Sequence, residues 1–150
     1  MPRARRPNTS KSPSKALPLF RGDAKGSVAV PEPESTTGIV PHVLYLGGAG
    51  RSTRYTSVTD AREVAVHFAG PNGRVWSTDA ARGVLAGARH ISRQELTTLL
   101  KGFGRGDAKW TDAFEVAQAR VYVERWSEHL LDWRGVAPPA IAAAIGKAFE

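Results

Sequence analysis

The sequence predicts one α+β domain behind a basic, unfolded leader. Three observations predict it. Short β-branched and aromatic runs alternate with stretches of helical periodicity between residues 41 and 150. The string Ser92-Arg93-Gln94-Glu95 is a capping box, which marks a helix start. Residues 1–40 are instead rich in Pro, Ser, Lys and Arg, with apolar side chains only scattered, as at Leu17, Leu19 and Phe20. Such a composition buries too little apolar surface to offset chain entropy, so these residues are expected to stay disordered, as a linker or leader.

The elements follow in order from Pro41. His42-Val43-Leu44-Tyr45-Leu46 reads as a strand, ended by the turn Gly47-Gly48-Ala49-Gly50. Arg54 to Val58 is extended. A helix starts at Thr59 or Asp60, with Glu63 in its first turn and Ala61, Val64, Ala65 and Phe68 at helical spacing. Gly70-Pro71-Asn72-Gly73 stops it, and Arg74 to Ser77 resumes as a strand. The capping box opens a helix over about 92–101 that presents Leu96, Leu99 and Leu100 on one face. Gly102 to Lys109 is loop. A helix from Thr111 to about Ala119 turns Ala113, Phe114 and Ala117 inward. Two extended pieces follow, Val121-Tyr122-Val123 and His129-Leu130-Leu131. Pro138 and Pro139 open a last helix through Ala148.

Composition and charge exclude several classes of chemistry. With no cysteine in the chain, disulfides, thiolate metal sites and cysteine nucleophiles are all ruled out. The net charge of +7 is a property of one end. Residues 1–25 hold seven Lys/Arg against Asp23 alone, a net +6, which leaves fourteen basic and thirteen acidic groups in the rest. A basic tail of this kind suits contact with nucleic acid or another acidic partner. No apolar run reaches the roughly 18 residues of a membrane-spanning helix, and no apolar core of a signal peptide follows the basic start, so membrane insertion is not expected. His42, His67, His90 and His129 form no helical metal motif, and no metal is expected. The run Gly47 to Gly50 lacks the Lys-Ser/Thr of a phosphate loop, and no Gly-x-Ser-x-Gly elbow is present. Trp76, Trp110, Trp126 and Trp133 read as packing residues.

Two readings of Glu128 stay open. It begins a strand, or it is a solvated face residue of one helix over 111–133, with Glu124 and Asp132 four positions away on either side.

The string Tyr55-Thr56-Ser57-Val58, then Ala61, Val64-Ala65 and Phe68-Ala69, then Gly73-Arg74-Val75-Trp76, is similar to the central motif of the ADP-ribosyltransferase superfamily. In that family a first strand of the form Leu-Tyr-Arg-Gly or Leu-Tyr-His-Gly precedes an aromatic or Ser-Thr-Ser strand, a helix, a returning strand and a late catalytic Glu. The resemblance spans residues 42–135. It implies split small β-sheets with flanking helices, with NAD as substrate and no metal. It also implies glycosyl transfer of ADP-ribose to a macromolecular acceptor, protein or nucleic acid, or NAD hydrolysis. Among small bacterial proteins of this kind it implies a toxin or effector, cytoplasmic or delivered into a target cell, with an immunity protein as a partner.

Carried onto this chain, the resemblance makes Val43 to Gly48 the first strand and Glu128 the acid that stabilises the sugar cation. Thr56 and Ser57 would position NAD, Tyr45 or Tyr55 would face nicotinamide, and Gly47 would sit in the turn. Leu46 stands where the family has Arg or His. Arg51 and Arg54 are then the candidates for the pyrophosphate, and His42 or Arg51 for the missing contact. The rival expectation is a non-catalytic binding or accessory protein that uses its basic tail.

Overall fold

The computed structural model describes residues 17–46 and 53–150. A strand, β1 (Pro18–Asp23), lies inside the stretch whose composition predicts disorder. Leu19 is its one fully buried side chain, at 0% exposure, and Pro18 takes the first position, where a strand tolerates a missing N–H. A segment with a single deep anchor is invisible to averaged composition. The disordered leader over residues 1–40 is therefore corrected from residue 18 onward, and residues 1–16 lie outside the described residues.

A second correction concerns the expected first strand. Ile39–Pro41 forms a helical turn, α1, which continues as a π-type turn over His42–Leu46. Ile39 and Val40 are fully buried, and His42 N–H closes onto the Gly38 carbonyl at 3.3 Å. Pro41 fits the first turn because its missing N–H would find no helical partner there. The remainder of that expected strand, Gly47 and Gly48, lies outside the described residues.

The other elements are β2 (Tyr55–Thr59), α2 (Arg62–Ala69), β3 (Arg74–Asp79), α3 (Ala80–Leu85), β4 (Arg89–Ile91), α4 (Arg93–Leu99), α5 (Ala113–Arg125), β5 (Glu128–Asp132) and α6 (Ile141–Ala148). Ser92 caps α4 by accepting from Glu95 N–H, as the capping box requires. Helix α5 runs through Val121-Tyr122-Val123, where β propensity favours a strand. Val116, Ala119 and Val123 recur on one face and are all fully buried, so helical packing overrides the local preference. Phe114, expected inward, is exposed instead. The alternative of one helix over 111–133 is also set aside: α5 ends at Arg125, and Glu128 opens β5.

The strands form one antiparallel sheet in the order β3-β1-β2-β5-β4. Alternation sends Leu19, Val58, Leu131 and Trp133 to one face, where they pack against Ile141, Ala144, Ile145 and Ala148 of α6. Tyr55, Leu130 and Ile91 face the other way, beneath α1, α4 and α5. Pairing is complete between β1 and β3, from Pro18↔Asp79 to Asp23↔Arg74, and between β2 and β5. Between β1 and β2 it is a single pair, Phe20↔Thr59. The strands thus make one five-stranded sheet, joined at its middle by a single pair, where the resemblance implies split small sheets.

Helix α2 lies close against β1. A Cβ built on Gly22 would stand 1.8 Å from the Ala65 carbonyl oxygen, so the helix backbone occupies the space a side chain needs. Gly22→Ala should therefore destabilise the fold by at least about 2 kcal/mol in denaturant unfolding. Gly146→Ala, on an open helical position, should be stabilising by about 0.5–1 kcal/mol.

Candidate active site

Where β1 and β2 part, a cleft of about 910 Å³ opens. Its lining includes Arg21 of β1, His42, Ser57 of β2, Phe68 of α2, Trp126 after α5, and Glu128 of β5. β1, the His42–Leu46 turn, β2, α2, the end of α5 and β5 thus meet at one opening.

Arg21 spans the gap. Its Nη1 donates to the Ser57 carbonyl at 3.0 Å, and its Nε donates to the Asp23 carboxylate at 3.0 Å. The guanidinium therefore supplies a bond across two strands that no longer pair there. Asp23 holds it by an ion pair of 3.0 Å.

Glu128 is aimed by the turn before it. Ser127 adopts φ 46°, a left-handed conformation that a non-glycine residue rarely takes, and it reverses the chain from α5 into β5. Thr59 Oγ1 donates to the Trp126 carbonyl at 2.7 Å, and Asp60 N–H donates to the Ser127 carbonyl at 3.3 Å, so the turn is tied to β2. His129 alternates to the opposite face. There it bonds Asp60 at 2.8 Å and His90 at 2.9 Å, which fastens β5 from behind.

A hydrogen-bonded chain leads to the acid. Ser57 Oγ donates to Glu128 Oε2 at 2.7 Å, so Ser57 Oγ itself accepts from His42 Nε2–H at 2.8 Å. That tautomer leaves His42 Nδ1 bare to accept from Thr53 Oγ1 at 2.6 Å, and Thr53 in turn accepts from Tyr55 N–H at 3.1 Å. Burial holds His42 far below its ordinary value, at about 3, with the Arg21 charge adding to the effect. The imidazole is therefore neutral, as the chain requires. Burial pushes Glu128 up to about 7, against smaller opposing effects of the Ser57 bond and Arg21. A carboxyl that changes charge near neutral pH is suited to holding a hydroxyl and to taking up a proton.

The structure brings together three of the residues singled out from sequence, His42, Ser57 and Glu128. It puts Arg54, Tyr55, Thr56 and Tyr45 elsewhere. Arg54 is buried, 3.2 Å from Asp107 and 3.5 Å from Asp132, and donates to the Tyr55 hydroxyl. Tyr55 packs in the core under α1 and α5. Thr56 faces away and accepts from Trp133 Nε1 at 2.9 Å. Tyr45 is exposed and donates to the Glu115 carboxylate. Gly47 and Arg51 lie outside the described residues. His42 does join the site, but from a helical turn rather than a strand.

Arg21 escapes the sequence reading because it lies in the stretch taken for leader. The signal that finds it is local: Leu19-Phe20-Arg21-Gly22 has the form Leu-aromatic-Arg-Gly. Trp126 also departs from a pure packing role by lining the cleft, whereas Trp76 and Trp133 pack on one face of the sheet and Trp110 on the other.

Comparison of the chain with protein-family models, with curated proteins and with solved structures gives no match. Among the described residues no helix is long and apolar enough to cross a membrane, and no group of three or more His, Asp or Glu is placed to hold a metal.

The buried acid makes stability depend on pH. Unfolded, Glu128 loses its proton near 4.5; folded, it keeps the proton to about 7. Its favourable contribution is thus complete below pH 4.5 and declines as pH rises to about 7, a loss of roughly 3 kcal/mol. Glu128→Gln should remove this decline, leaving the variant more stable than wild type at pH 8 in urea unfolding.

Proposed function

We propose that the chain is an ADP-ribosyltransferase-like enzyme that cleaves the bond between ribose and nicotinamide in NAD. The observation that carries the reading is the meeting of Arg21, Ser57 and Glu128 at the parting of β1 and β2. Further support comes from the order of strings: Leu19-Phe20-Arg21-Gly22 on β1, Tyr55-Thr56-Ser57 on β2, and an acid at the start of a late strand. This is the order the family resemblance asks for, with β1 in place of the stretch after His42. The departure at Leu46 then carries no weight.

The chemistry follows from the residues. Ionised Glu128 accepts a ribose hydroxyl and faces the positive charge that grows on C1′ as the glycosidic bond breaks. The bonding electrons leave on the nicotinamide nitrogen, so the leaving group is neutral and needs no strong acid. Ser57 orients the carboxylate, and neutral His42 orients Ser57. Arg21 is a charged fork suited to paired phosphate oxygens. The cleft volume matches a mid-sized ligand.

Incubation with labelled NAD tests the reading. Wild type should release nicotinamide, with a rate that rises through pH about 7 as Glu128 ionises. Glu128→Gln, which keeps the shape and the Ser57 bond, should lower the rate at least about 100-fold. Arg21→Lys should act mainly through KM. Wild type that leaves NAD intact, with or without added protein or nucleic acid, would overturn the reading.

A further inference from the structure

The charges that line the cleft leave the diphosphate of NAD short of a partner. Arg21 is one cation of the lining, but Asp23 already takes an edge of its fork: Nε lies 3.2 and 3.0 Å from the two carboxylate oxygens, and Nη2 3.0 Å from one of them. Nη1 is bonded to the Ser57 carbonyl. The pair therefore offers a phosphate the outer N–H groups and little net charge. Glu128, ionised for the cleavage step, adds a further negative charge to the same wall. A ligand with two phosphate charges is repelled there unless another cation meets it.

Among the described residues of the lining, that cation is Lys25. It is exposed and pairs with no described carboxylate. Its setting gives it reach. β1 ends at Asp23, and Ala24, Lys25, Gly26 and Ser27 form an exposed bend in which Ala24, Lys25 and Ser27 line the cleft. A Cβ built on Gly26 would meet nothing within 4 Å, so the bend stands clear of the body. Both of its ends are fixed: Asp23 pairs with Arg74 of β3, and Val28 is buried in the cluster that holds Leu19. A short strap anchored on both sides swings over an opening without disturbing the sheet. The lysine ammonium is a compact charge on a flexible stem, and the Ser27 hydroxyl adds a donor two residues on. Four residues of chain span at most about 14 Å, so Arg21 and Lys25 reach one dinucleotide together.

Resting on the NAD reading above, we infer that Lys25 is the residue that binds the diphosphate of the dinucleotide, with Ser27 as a second donor and the strap over residues 24–27 closing on the ligand. Binding here supplies affinity and position. The bond between ribose and nicotinamide is left to Glu128, so loss of Lys25 is felt only by substrates that carry phosphate.

The test uses the full chain and separates the phosphates from the scissile bond. Nicotinamide release is measured from NAD and from nicotinamide riboside, which keeps the bond and lacks phosphate; binding of ADP and of adenosine is measured by calorimetry. Lys25→Ala should raise KM for NAD about tenfold with kcat within about twofold, and should change KM for the riboside at most about twofold. ADP should bind about tenfold more weakly to the variant, and adenosine should not. Lys25→Arg, which keeps the charge, should restore most of both losses. Equal effects on NAD and on the riboside, or a KM for NAD unchanged in Lys25→Ala, would overturn the proposal and leave the NAD reading standing. No nicotinamide release by wild type would overturn the NAD reading. ADP binding that depends on Lys25 would then uphold the diphosphate site by itself, and ADP binding that is absent or indifferent to Lys25 would overturn that as well.

Discussion

The parting of β1 from β2 is the constraint on which the rest of the structure depends. Two strands that pair at Phe20↔Thr59 and then separate leave backbone groups that a continuous sheet would have satisfied. The Arg21 guanidinium takes up one of them, the Ser57 carbonyl, and so places a cation at the entrance of the opening it bridges. Asp23, two residues on, fixes the direction of that side chain. Gly22 between them allows α2 to approach, which closes one wall of the cleft. Three consecutive residues thus hold β1 beside β2 and shape the opening.

Behind the opening, polar groups are arranged so that each bond fixes the next. The backbone N–H of Tyr55 sets the Thr53 hydroxyl, which sets the tautomer of His42, which orients Ser57 toward Glu128. Every member is partnered, which is what a buried polar chain needs to be tolerated. The cost falls on the last member, whose charge is disfavoured by burial. A carboxyl destabilised in its ionised form is a poor contributor to folding but a useful group for a growing positive charge. Stability and proposed function pull on Glu128 in opposite directions.

Much of the fold is legible where one local rule operates alone. The Ser92 cap with Glu95, the stop at Gly70, and the strand from Arg74 all appear where periodicity and turn chemistry place them. The misreadings share a cause, because in each the burial of particular side chains overrides the local propensity or averaged composition. Val121-Tyr122-Val123 looks like a strand until Val116 and Ala119 are seen on the same buried face as Val123. His42 to Leu46 looks like a strand until Ile39 and Val40 are seen anchoring a helical turn. β1 looks like leader because only Leu19 betrays burial, and α3 and β4 leave no trace in the sequence reading. Of the site, Ser57 and Glu128 are readable from motif order. Arg21 is masked by the composition around it, although Leu19-Phe20-Arg21-Gly22 itself sets a buried side chain before partly exposed residues.

The account turns on Glu128 being a buried acid facing the gap, held by Ser57, rather than a solvated surface charge. A carbon-13 NMR titration of the Glu128 side-chain carboxyl, assigned by comparison with Glu128→Gln, reads this directly. The account predicts a midpoint of about 7. A midpoint at the ordinary value of 4.5 would mean that the carboxyl is hydrated, and would contradict the site as described.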